Sequence, residues 1–127
     1  MQKSVLNRSK AIIALLIATL FVGFGLSGCA STEPLNMATV TSVIDVRTPA
    51  EYAEGHLEGA LNIDVESPLF AEQIGELDPS GTYVVYCRSG NRSAVAIDLM
   101  KGMGFTDLIN GGGYADASAR TGLPIVQ

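Results

Sequence analysis

A stretch without a charged side chain, Thr82-Tyr83-Val84-Val85-Tyr86, runs into a cysteine and then into Arg88-Ser89-Gly90-Asn91-Arg92. An apolar-rich run from Ser93 to Met100 follows at helical spacing. β-Branched and aromatic residues favour a strand over the first stretch. A strand unbroken by charge is one covered on both faces, which is the situation of a strand inside a parallel sheet. This junction therefore asks for layers above and below a sheet, with a strand ending, a short loop and a helix beginning around Cys87.

The rest of the chain supplies those layers. Thr39 to Val46 is β-branched and strand-like, and Thr48-Pro49-Ala50-Glu51 marks a helix start. Thr48 is the N-cap there, Pro49 occupies the first helical position and Glu51 completes a capping box. Gly55 stops that helix, and Ala60 to Ile63 gives a second short strand. Ser67-Pro68 is expected to open the next helix with another cap, carrying Leu69, Phe70 and Ile74 towards a core. Asp78 to Gly81 is a turn. Beyond the cysteine loop, Ala94, Val95, Ile97, Leu99, Met100 and Met103 form a broad apolar helical face. Phe105 to Ile109 is expected as the last strand, with Gly111-Gly112-Gly113 turning into a short helix that finishes before Gly122-Leu123-Pro124. Strands alternating with helices define an α/β class: a small parallel-sheet domain with helices on both faces. Ligands of such sheets bind outside the carboxyl ends of the strands, where Cys87 stands.

The residues around Cys87 suit an anion and a nucleophile. Loop N–H groups and a helix N-terminus favour negative charge, so thiolate is favoured over thiol. Gly90 permits a tight turn, and Asn91 tolerates left-handed backbone. Arg88 and Arg92 add cations, and Ser89 adds a hydroxyl donor. The competing possibilities are a buried core cysteine, arginines paired with carboxylates of an acidic protein, and a merely exposed serine.

Residues 1–28 have the composition of an export leader. Lys3, Arg8 and Lys10 precede sixteen uncharged residues, Ala11 to Leu26. Leu26-Ser27-Gly28-Cys29 resembles the lipobox of bacterial lipoproteins, in which the cysteine is lipidated and becomes the N-terminus. An uncleaved anchor with an incidental Cys29 is the alternative. On the lipoprotein reading, 29–37 is a tether, 38–127 is the folded domain, and the protein is extracytoplasmic, held to a membrane by its lipid anchor. Loss of the leader's three positive charges takes the net charge from −5 to −8. So acidic a body argues against nucleic acid as a partner. Lipidation of Cys29 would leave Cys87 without an internal disulfide partner.

Four segments together resemble the rhodanese family of sulfurtransferases. They are Ile44-Asp45-Val46-Arg47 with Glu51-Tyr52, Gly55 to Ile63, Tyr86 to Arg92, and the late glycine-rich turn with Gly122-Leu123-Pro124. They span Thr39 to Val126 in the family's order. The resemblance implies a rhodanese-like fold and a persulfide cycle. In the cycle so implied, Cys87 would take sulfur from a small anionic donor such as thiosulfate and pass it to a thiol or cyanide. The Arg88 to Arg92 loop binds the substrate. It further implies that Asp45 and Arg47 brace the first strand-to-helix turn and that the Gly-His-Leu turn of His56 is structural. No metal or organic cofactor is implied, since Cys87 and His56 are too few for a protein metal site.

Two departures qualify the likeness. The chain has no tryptophan, and Tyr114-Ala115-Asp116-Ala117 stands where many relatives place one, so the mouth of the site is expected to be more open. The cysteine-to-arginine loop spans six residues, one fewer than in the related dual-specificity phosphatases and arsenate reductases, which favours sulfur over phosphorus. The remaining alternatives are a sulfur relay fed by a protein partner and a sensor or interaction module on the same fold. A thioredoxin-type oxidoreductase would need a resolving cysteine.

Overall fold

The computed structural model describes residues 33–127. The leader 1–28, its lipobox and Cys29 lie outside the described residues. A single 3₁₀ turn, Met37–Thr39, precedes β1 (Ser42–Asp45), α1 (Pro49–Glu54), β2 (His56–Leu57) and β3 (Leu61–Asn62). Then come α2 (Phe70–Gly75), β4 (Thr82–Cys87), α3 (Asn91–Gly102), β5 (Asp107–Gly113), α4 (Tyr114–Thr121) and β6 (Ile125–Val126). The main sheet is wholly parallel in the order β3-β1-β4-β5, so β1 and β4 lie at its centre.

Period-two alternation along the central strands sends side chains to two cores. Ile44, Val46, Tyr83, Val85 and Cys87 face one core with Phe70 and Ile74 of α2 and Ala96, Ile97 and Met100 of α3. Val43, Val84 and Tyr86 face the other, with Ala117 of α4 and Tyr52 of α1 packed on it. Helices thus cover both faces, and the uncharged run before Cys87 is explained by β4 being buried throughout its length from Tyr83. Leu35 and Met37, within the stretch expected as a tether, also pack against the second core, and Leu35 N–H donates to Arg120 O at 2.7 Å.

The capping box forms as expected. Thr48 Oγ1 accepts from Glu51 N–H at 3.3 Å, and Glu51 Oε2 accepts from Thr48 N–H at 3.1 Å. Other expectations are corrected. Ser67-Pro68 forms a turn in which Ser67 Oγ accepts from Leu69 N–H, and α2 begins only at Phe70 without a side-chain cap. Leu69 is left exposed, because it precedes the helix whose buried face is Phe70 and Ile74. On α3 the buried stripe is Ser93, Ala96, Ile97 and Met100, a strict i, i+3, i+4, i+7 pattern. Ala94, Val95 and Leu99 stand outside it, on the exposed side. The last parallel strand runs through the glycines to Gly113 rather than ending at Ile109. A register shift lets Tyr86 pair with Gly112 after Val85 pairs with Asn110, leaving Gly111 as the extra residue of a bulge. Finally, β2 and β6 pair antiparallel as a separate two-stranded sheet.

Candidate active site

Cys87 is the last residue of β4, and α3 begins four residues later. Its side chain is fully buried. Gly90, at the N-cap of α3, has φ +97, the left-handed region in which glycine is unstrained. That conformation folds the loop back so that Gly90 N–H donates to Cys87 Sγ at 2.9 Å. β5 closes against the loop from the other side. A side chain at Gly113 would stand 2.6 Å from Arg88 O, so only glycine fits there. The glycine run read as a turn is instead the floor on which the cysteine loop rests.

Burial pushes the Cys87 thiol up, yet its net displacement is below the ordinary value. The opposing causes are hydrogen bonds from the Ser93 backbone N–H, the Ser93 side chain, and the N–H groups of Ser89 and Gly90. The Ser93 N–H belongs to the first turn of α3, where helical N–H groups have no intrahelical partner. Negative charge on sulfur is therefore stabilised chiefly by the backbone, as expected from the loop's position.

The two loop arginines differ. Arg92 makes a bidentate ion pair with Glu51, at 2.8 Å from each guanidinium nitrogen, and stands 3.5 Å from Glu66. Hydrogen bonding from Arg92 holds the Glu51 carboxyl down to about 2, and Glu51 holds Arg92 above its usual range. The pair joins the capped start of α1 to the start of α3. Arg88 is exposed, and among the described residues no carboxylate lies within ion-pair distance of it. Together with Arg47, Glu51, Glu54, Gly55, Tyr114 and Ile125 it lines a cleft of about 260 Å³ beside the loop. Ser89 and Asn91 are exposed on the loop.

Asp45 and Arg47 close on each other at the end of β1. Arg47 Nη2 lies 2.6 Å from Asp45 Oδ2 and 2.7 Å from Gly55 O, while Arg47 Nε reaches Asp45 Oδ1 at 2.9 Å. Tyr86 O–H donates to Asp45 Oδ2 at 2.9 Å and accepts from Leu57 N–H at 3.0 Å. The guanidinium also lies 5.0 Å from the Tyr114 ring centre, so Tyr114 covers this pair. His56 Nδ1 lies 2.9 Å from Tyr52 O; a carbonyl can only accept, so Nδ1 carries the proton. Its ring stacks on Tyr52 at 3.6 Å. Both groups are committed to contacts of the fold.

Three residues that shape the site carry little or no local signal of that role. Glu51 is legible in the sequence as a cap and as part of a family-like segment, with nothing to mark it as the partner of Arg92. Ser93 read as one more helical position, although a serine within an apolar helical stripe is a signal in itself. Asn110 comes from β5, and nothing local connects it with Cys87.

With this geometry in place, the family follows. The rhodanese-like domain model matches residues 32–119, and the chain belongs to that family. The chain is 36% identical over 73 residues to a protein named thiosulfate sulfurtransferase PspE from Escherichia coli K12, covering 58% of this chain and 70% of that one. It is 38% identical over 84 residues to a protein named sulfurtransferase from Allochromatium vinosum, covering 66% and 77%. A solved structure described as rhodanese with anions from E. coli aligns with a TM-score of 0.56 at 33% identity, over 68% of this chain and 96% of that one.

Proposed function

We propose that the protein is a sulfurtransferase that carries sulfane sulfur as a Cys87 persulfide. The observation that carries this reading is a buried thiol at a strand end, held by the Gly90 N–H at 2.9 Å and displaced towards thiolate by backbone donors. The likeness to proteins named sulfurtransferases supports the reaction class. In the first half-reaction the Cys87 thiolate attacks the outer sulfur of thiosulfate. The S–S bond of the donor breaks, sulfite departs with the electron pair, and Cys87 Sγ–S⁻ remains. In the second, cyanide or a thiolate attacks that outer sulfur, and Cys87 leaves as thiolate again.

The loop N–H groups suit both states, because each places negative charge on sulfur next to the same donors. Arg88, uncommitted to a carboxylate, attracts the anionic donor, while the paired Arg92 holds the loop in shape. Initial rates with thiosulfate and cyanide should give parallel double-reciprocal lines, the mark of a covalent intermediate. Intersecting lines, or turnover by Cys87→Ala, would remove the mechanism. As part of the same reading, Cys29 is lipidated and tethers the domain on the outer side of a bacterial membrane. Metabolic labelling with a clickable fatty acid, lost in Cys29→Ser, tests that anchor.

A further inference from the structure

Ser93 is fully buried on α3 and its hydroxyl faces three hydrogen-bond acceptors with one proton. Ser93 Oγ lies 2.8 Å from Asn110 Oδ1, 2.9 Å from Gly90 O and 3.7 Å from Cys87 Sγ. The orientation of the Asn110 amide follows from its other partner. Gly112 N–H donates to Oδ1 at 2.9 Å, so that atom must be the oxygen. Asn110 Nδ2 points to Gly90 O at 3.4 Å, a weak contact. The hydroxyl therefore cannot satisfy either oxygen, Asn110 Oδ1 or Gly90 O, and the sulfur at once.

We propose that Ser93 is a positioning residue for sulfur transfer, its single hydroxyl proton turning between the oxygens of Asn110 and Gly90 on one side and Cys87 Sγ on the other as the sulfur loses and gains charge. In the thiol, S–H donates to Ser93 Oγ, and the serine proton rests on Asn110. In the thiolate, the serine hydroxyl swings to sulfur, and Asn110 Oδ1 keeps the Gly112 N–H. In the persulfide, Sγ is a neutral bridging atom and the proton returns to Asn110. Only a C–O rotor moves.

The consequence is unequal for the two half-reactions. During discharge the S–S bond of the persulfide breaks and its electron pair passes to Sγ, so a donor to that atom assists departure. During loading the same donor blunts the attacking thiolate, since nucleophilicity falls with basicity. Ser93 thus favours discharge. The charged group acting on Cys87 from α3 is Arg92, matched by Glu51 of α1 and by Glu66. Arg88 is the other cation in the loop, Asp45 and Arg47 of β1 neutralise each other, and Asn110 with the glycines of β5 brings no charge.

This inference refines the reaction proposed above, and its test separates the two. The full chain is purified in detergent, and alkylation by iodoacetamide is followed against pH on the peptide carrying Cys87. Ser93→Ala should raise the midpoint by about one pH unit, because hydrogen bonds to charged groups exceed those to neutral ones. Ser93→Thr should restore it. Asn110→Ala removes one of the two competing oxygens, leaving Gly90 O, and should lower the midpoint by less than Ser93→Ala raises it, with the opposite sign; Asn110 is exposed, so water can replace it at Gly112 N–H. On protein preloaded with thiosulfate, Ser93→Ala should slow discharge to cyanide about tenfold while loading above the new midpoint is undiminished. A Ser93→Ala profile superimposed on the parent's overturns the inference, and a midpoint that stays or rises in Asn110→Ala overturns the competition for the proton. Should Ser93→Ala not fold, the sign in Asn110→Ala decides. If the parent never holds sulfur, the proposed reaction falls, while the alkylation midpoints still judge Ser93.

Discussion

The ends of β1 and β4 are neighbours in the sheet, with Asp45 in register with Tyr86, one residue before Cys87. Each carries a group that favours negative charge, yet the two are handled in opposite ways. Asp45 is enclosed by side chains: Arg47 clamps both its oxygens, and Tyr86 O–H takes one of them as well. Cys87 is served by backbone N–H groups of the loop and the first turn of α3. A carboxylate whose lone pairs are taken by a salt bridge has nothing left for a substrate. A sulfur held by N–H groups that lack other partners keeps a site where charge can come and go. Of these adjacent strand ends, one is a clamp and the other the proposed reaction centre.

Substitutions can break that contrast, beginning with the largest effect. Cys87→Ala should abolish sulfur transfer entirely while lowering stability by only about 1 kcal/mol, the scale of a small truncation in a core; an assay paired with urea unfolding checks both. Asp45→Ala should do the reverse in energetic terms. It leaves a buried guanidinium without its counter-charge and should cost about 3–5 kcal/mol, read in the same unfolding experiment. Arg88→Ala should raise KM for thiosulfate about tenfold, with stability unchanged, and added salt should shrink the difference from the parent. A KM that ignores both the substitution and the salt would remove Arg88 from the site.

The weakest effect lies where the two regions are joined, at Glu51–Arg92. The folded-state pKa of Glu51 is depressed from 4.5 to about 2, chiefly by its hydrogen bonds with Arg92. Its stabilisation is therefore present above pH 4.5 and is lost as pH falls from there towards 2. Glu51→Gln should flatten acid unfolding across that window. A parent stability that does not fall over this window, or a Glu51→Gln variant with the same slope, would contradict the assignment.

What could be read from the sequence was what is local. The uncharged strand, the loop and the helix after it occupy consecutive residues, and the Thr48–Glu51 box spans one turn, so each carries its own signal. The start of α2 differs from expectation because Ser67-Pro68 is also a turn signature, and there the turn prevails. β5 extends beyond its expected end because glycines, which ordinarily weaken strands, are here demanded by the approach of Arg88 O to Gly113, which excludes a side chain. The broad apolar face that includes Val95 and Leu99 does not say which of its stripes meets the sheet, because apolar content alone does not; the buried stripe runs through Ser93, a polar residue. Ser93 and Asn110 are seventeen positions apart and meet only through the β4–β5 pairing.

The central claim is that sulfur is held covalently at the β4 end. The direct test is the mass of the Cys87 peptide, from the full chain purified in detergent, before and after thiosulfate. The account predicts a gain of about one sulfur atom, reversed by cyanide and absent from the same peptide in Cys87→Ala. No gain on a folded protein whose Cys87 still titrates would contradict it and leave the site as a relay or sensor fed by another protein.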